Sequence, residues 1–191
     1  MVHKRNINQN GDLSLEIILA LIRGKSHLRE IARAIKKPHA TVLRKVNNLM
    51  AIHILDYNQE GRNKVFFIKN SLNSRNYVYS AEIYKLSRLI EKYPELGVIL
   101  EDIKKSLPKI MVVLFGSYAK GTEKQESDID FYIETANNSI KEKIKGINSK
   151  INVKIGKFDT NSLLIKEIIK NHVIISGVEQ FYEKSGFFEQ T

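Results

Sequence analysis

The spacing of apolar residues changes character several times along these 191 residues, and each change predicts a different element. Leu15, Ile18, Leu21 and Ile22 recur at helical intervals, predicting a helix over 13–21 that stops at Gly24. Ser26 offers a cap to a second helix, 28–35, whose Leu28, Ile31, Ala32 and Ile35 make one apolar stripe. Lys36-Lys37-Pro38 breaks it, and a third helix is expected from His39 to Met50 with Val42, Val46 and Leu49 inward. The period then falls to two. Strands are expected over 52–57 and 64–69, joined by a loop from Asn58 to Asn63 with Gly61 at its tight point. Asn70 to Asn76 is polar and turn-forming, a domain boundary.

Helical spacing returns at Tyr79, Ile83, Leu86, Ile90 and Tyr93, ends at Pro94, and resumes with Leu96, Ile99, Leu100 and Ile103. After Pro108 a continuous apolar run, 110–115, reads as a buried strand, and Lys150 to Gly156 alternates like a half-buried one. Residues 141–150 suit a charged helix or loop, 161–170 an amphipathic helix, and 173–178 a short final strand. Phe181, Tyr182, Phe187 and Phe188 are read as packing or tail residues without chemistry. The expected fold class is α+β in three parts: a helix-and-hairpin domain at 1–70, a helical connector at 71–106, and a small mixed-sheet domain at 107–191.

Charge separates these parts. Residues 1–70 hold 13 Lys+Arg against 5 Asp+Glu, a net +8, whereas 71–191 hold 18 against 16, a net +2. So uneven a distribution points the first domain at a polyanion. Cysteine is absent, which excludes disulfides and thiol chemistry, and the five histidines (3, 27, 39, 53 and 172) lack zinc-ligand spacing. No signal peptide and no long apolar span are read, so a cytoplasmic protein without a membrane partner is expected.

Helix, helix–turn–helix and hairpin, in that order, with Leu28-Arg-Glu-Ile-Ala-Arg-Ala-Ile and Pro38-His-Ala-Thr-Val-Leu-Arg-Lys-Val, resemble a winged helix-turn-helix. The resemblance implies a double-stranded DNA partner, with the third helix in the major groove. His39, Thr41, Arg44, Lys45 and Asn48 would face the bases, Arg44 pairing with a guanine edge. Lys36, Lys37, Arg62, Asn63 and Lys64 would hold the phosphate backbone from turn and wing. Two copies pairing to read two half-sites is one use for the connector helices; packing within one chain is the other.

The chemistry concentrates further on. Val113-Leu-Phe-Gly-Ser-Tyr-Ala-Lys-Gly-Thr, then Ser127-Asp-Ile-Asp-Phe, reads as strand, Gly-Ser turn, helix and acidic strand. Asp128 and Asp130, two apart, leave one face of a strand, where a divalent cation relieves their repulsion. Gly116 permits close backbone approach, and Ser117 sits where helix N–H groups would meet a phosphate. Phe115-Gly116-Ser117, ten residues, then Asp128-Ile129-Asp130-Phe131, resemble the nucleotidyltransferase superfamily of DNA polymerase beta, in particular the minimal archaeal and bacterial members. That resemblance implies Mg²⁺ on Asp128 and Asp130. It places a nucleoside triphosphate, ATP first, on Gly116, Ser117, Lys120 and Ser127, with transfer of its nucleoside monophosphate to an acceptor. In the family a third acid on a later strand joins the pair. The matching strand here is 150–156, which puts Asn152 and Lys154 on the active-site face, and neither is a carboxylate. Asp159 lies beyond that strand, and Glu134 is about 13 Å along its own strand from Asp130. Two outcomes are open: a DNA-binding transcription regulator with an active transferase, or one whose transferase domain senses nucleotide without turning it over.

Overall fold

A computed structural model describes residues 12–189, which fall into two compact units, one ending at Ala81 and the next beginning at Glu82. His3 and the first residues of the expected DNA-binding domain lie outside the described span.

In the first unit, α1 (Leu13–Ile22) is capped by Asp12, whose Oδ1 accepts the Ser14 N–H at 2.8 Å. A two-residue strand, β1 (Ser26–His27), leads into α2 (Leu28–Ala34), and α3 (His39–Ala51) follows. The expected cap at Ser26 is displaced by one residue. His27 takes the N-cap because Ser26 and His27 pair with Phe66 and Val65 as a strand. Glu30 Oε2 accepts from both the His27 N–H and Ser26 Oγ. The hairpin is tighter than expected: β2 (Leu55–Glu60) and β3 (Asn63–Ile68) pair as far as Glu60 with Asn63. The turn is therefore the two residues Gly61-Arg62, and Gly61 carries the positive φ of 58° that such a turn demands. The three strands order as β1-β3-β2. Ile17, Ile18, Ile31, Val42, Val46, Leu49, Ile54 and Phe66 form the buried core.

A 21-residue helix, α4 (Leu72–Lys92), contains the division between units, so residues of the expected connector belong to both. In the second unit α5 (Pro94–Ser106) starts on a proline at its first turn, where no N–H is missed. Then come β4 (Val112–Phe115), the five-residue α6 (Gly116–Lys120), β5 (Ile129–Glu134), α7 (Asn138–Lys145), β6 (Ile151–Gly156), α8 (Leu163–Lys170), β7 (Val173–Ser176) and α9 (Val178–Ser185). The sheet order is β6-β5-β4-β7, with β5 and β6 parallel and the other pairings antiparallel.

Alternation along the strands separates two faces. Leu114, Ile129, Phe131, Ile133, Val153 and Val173 pack against Leu96, Leu100 and Ile103 of α5 and Ile144 of α7. Tyr132, one step out of phase, meets Phe158 at 6.1 Å between ring centroids, and Phe158 meets Phe181 at 5.4 Å. Phe181 and Tyr182 are thus buried packing residues, as expected. Asp130 shares the phase of Tyr132, so this second face also carries the polar corner.

Candidate functional site

Three elements meet at Asp130. Its register partner across β4 is Phe115, the residue before Gly116, and its partner across β6 is Asn152. Asn152 Nδ2 donates to Asp130 Oδ1 at 2.8 Å. On the other side, Gly116 takes a φ of 74°, and a Cβ there would run into Asp130 Oδ2, lying 3.1 Å from its Cγ. The Gly-Ser bend and the acidic strand therefore touch. Their contact requires glycine twice, for the backbone angle and for the missing side chain.

Asp128 precedes β5 rather than lying within it and is exposed, while Asp130 is half-buried. Ser117 begins the first turn of α6, whose end is marked by Gly121. Ser127 Oγ accepts the Lys124 N–H at 2.8 Å, and the Ser127 N–H returns to the Lys124 carbonyl at 2.9 Å. That small turn delivers the chain to Asp128. Lys120 pairs with Glu167 of α8 at 2.7 Å, and its ammonium is the first cause holding the Glu167 carboxyl below the usual range. Any phosphate reached by Lys120 would compete with Glu167 for it.

The other acids considered from sequence are engaged elsewhere. Glu134 accepts from the Phe158 N–H, Gln180 Nε2 and Lys184 Nζ, tying β5 to α9. Asp159 Oδ1 accepts the Asn161 N–H at 2.9 Å in the turn before α8. Lys154 is exposed on β6, in register with Tyr132.

Magnesium, which the sequence resemblance implies, takes hard oxygen donors and commonly keeps water and phosphate oxygens beside one or two carboxylates. Asp128 and Asp130 supply such a pair, and Asp130 Oδ2 lies against the bend, in the place a Cβ of Gly116 would take. Among the described residues no group of three or more His, Cys, Asp or Glu side chains could hold a metal by itself. The donors fit a cation completed by a nucleotide's own phosphates.

A cavity of about 650 Å³ lies elsewhere in this unit, lined by Tyr93, Leu96, Ile99, Tyr118, Glu123 and Ile129 among others. Ile129 belongs to the face opposite Asp130, so this hollow is separate from the acidic corner.

Sequence reasoning missed one buried polar group. Glu82 of α4, fully buried, accepts from Tyr182 Oη at 2.9 Å and from Lys85 Nζ at 3.0 Å, and lies 3.3 Å from His172 Nε2. Burial alone would raise its pKa, but the His172 hydrogen bond and the Lys85 charge outweigh burial and hold it at about 2. Lys85 is a helix neighbour, but His172 and Tyr182 stand 90 and 100 positions away, so no local signal announced them.

In the first unit, His39, Arg44, Asn48, Arg62, Asn63, Lys64 and Lys36 are exposed, and Lys37, Thr41 and Lys45 half-exposed. Arg44 and Asn48 project from α3 opposite Val42, Val46 and Leu49. Lys64 Nζ sits 3.9 Å over the Tyr57 ring. Among the described residues no helix is long and apolar enough to cross a membrane.

No curated protein matches this chain. Among solved structures, a toxin–antitoxin crystallised with AMP-PNP aligns with a TM-score of 0.36 at 20% identity, over 48% of this chain and 80% of that one. A mutant of the toxin–antitoxin MntA-HpeT aligns with a TM-score of 0.34 at 20% identity, over 51% of this chain and 81% of that one. Residues 96–183 match the family described as the nucleotidyltransferase domain, a span running from α5 through all four strands to α9 and containing the whole acidic corner.

Proposed function

We propose that the protein is a DNA-binding transcription regulator whose nucleotidyltransferase domain transfers a nucleoside monophosphate from ATP to an acceptor. The observation that carries the nucleotide half is the contact between Gly116 and Asp130: the bend suited to phosphate and the carboxylate suited to a cation share one corner. Asp128 and Asp130 would hold Mg²⁺, which when bound neutralises phosphate charge and polarises the α-phosphorus. Gly116 lets the bend close on Asp130, Ser117 Oγ and the first N–H groups of α6 would donate to triphosphate oxygens, and Ser127 holds the loop that carries Asp128. Lys120 adds a cation once it leaves Glu167. The acceptor hydroxyl oxygen bonds to the α-phosphorus as the bond from that phosphorus to the bridging oxygen opposite it breaks, pyrophosphate leaves with that oxygen, and the hydroxyl proton passes to solvent.

The DNA half rests on charge and exposure. A net +8 over residues 1–70, with Arg44, Asn48, Arg62 and Lys64 exposed on α3 and the hairpin, suits a winged helix-turn-helix reading double-stranded DNA.

Asn152 favours a second reading. An amide cannot take a proton from an attacking hydroxyl, which suits a nucleotide sensor that binds without turnover. The deciding experiment incubates the protein with Mg²⁺ and α-labelled ATP, with and without DNA. Label on a protein, nucleic-acid or small-molecule acceptor, abolished by Asp128→Asn, establishes the transferase. Binding without transfer across all three acceptor classes establishes the sensor.

A further inference from the structure

We propose that Asn152 is a positioning residue that aims Asp130 at the Gly116 bend, and that its neutral side chain limits the corner to one divalent cation. The inference rests on the cation-binding reading of the corner given above.

The parallel register of β5 and β6 sets Asn152 directly beside Asp130. An amide nitrogen donates and a carboxylate accepts, so the 2.8 Å bond from Asn152 Nδ2 selects Asp130 Oδ1. Oδ2 is thereby turned toward the space above Gly116 that no Cβ occupies. One oxygen accepts from Asn152 and the other lies against the Gly-Ser bend, where a ligand on that bend would meet it. Without the amide, the carboxylate would rotate among several orientations, and the cation would have to select the presented one at the expense of affinity.

Charge gives the second half. Asp128 and Asp130 carry two negative charges, matching one divalent cation. A carboxylate in place of the amide would bring a third negative charge within hydrogen-bond distance of Asp130, which a second cation would relieve. The amide keeps the geometry of that position while withholding its charge. Lys154, on the same side of β6 and exposed, adds positive rather than negative charge to this face.

Titration with Mn²⁺ of the full-length chain saturated with a non-hydrolysable ATP analogue, read against the analogue alone and followed by the loss of the free-ion paramagnetic resonance signal, tests this. Wild type should take up one Mn²⁺ per chain, Asn152→Ala should bind the same single ion about tenfold more weakly, and Asn152→Asp should take up two. The midpoint of thermal unfolding, measured on each variant, separates a positioning effect from a folding defect. Equal affinity in wild type and Asn152→Ala, or a single ion in Asn152→Asp, overturns the inference while leaving the corner as a cation site. Absence of Mn²⁺ uptake by wild type removes the cation-binding reading itself, and this inference with it.

Discussion

Gly116 is the residue on which the corner depends most sharply. Its φ of 74° disfavours any side chain, and the first atom of one would collide with Asp130. Gly116→Ala should cost roughly 1–3 kcal/mol in unfolding free energy. It should weaken ATP binding as well, because relief of the collision turns Asp130 away from the bend. Urea unfolding and ATP titration of the same variant check both effects; full stability with unchanged ATP affinity would show that bend and carboxylate do not act together. Much of this corner was readable from residue types together with the family resemblance. Two aspartates at a spacing of two, a Gly-Ser pair and the alternation of residues 150–156 together located Asp130, Gly116 and Asn152. The bond between Asn152 and Asp130 was not readable, since it depends on the parallel register of β5 and β6 rather than on either strand's pattern.

At the scale of elements, periodicity located α1, α2, α3, α8 and most strands, because each buries one stripe or one face. It failed where an element is too short to have a period. The two-residue β1 exists only because β3 offers a partner, and its formation moved the α2 cap from Ser26 to His27. Glu82 falls in the same category: a lone acidic residue in a helical pattern reads as solvated, yet it joins α4 to α9 and to the residue before β7. Removing it takes a buried carboxylate away from His172, Tyr182 and Lys85 and leaves an empty position. Glu82→Ala should therefore destabilise by about 3–5 kcal/mol, measured by chemical denaturation. Its pH dependence has a definite sign. The folded pKa, about 2, lies below the ordinary glutamate value of 4.5, so the stabilisation is present above pH 4.5 and is lost as pH falls from there toward 2. Wild type should lose stability over that interval and Glu82→Gln should lose less. Parallel acid titrations of the two proteins would refute the assignment.

Taken whole, the chain concentrates its net positive charge in residues 1–70 and carries the Asp128 and Asp130 pair in the second unit. If the first unit binds DNA through the α3 face and hairpin, affinity must fall steeply with salt, by a log–log slope of about −0.9 for each phosphate contact. Arg62→Ala should reduce that slope by about one for every sequence tested, whereas Arg44→Ala should also relax preference among sequences. A flat salt response in a fluorescence anisotropy titration would exclude the DNA reading and leave the nucleotide site untouched. The central claim is tested most directly by calorimetric titration of the full-length protein with a non-hydrolysable ATP analogue, with Mg²⁺ and then with chelator. Binding should require the cation and should weaken at least about tenfold in Asp128→Asn. Binding of equal strength in chelator, or in the Asp128→Asn protein, would contradict it.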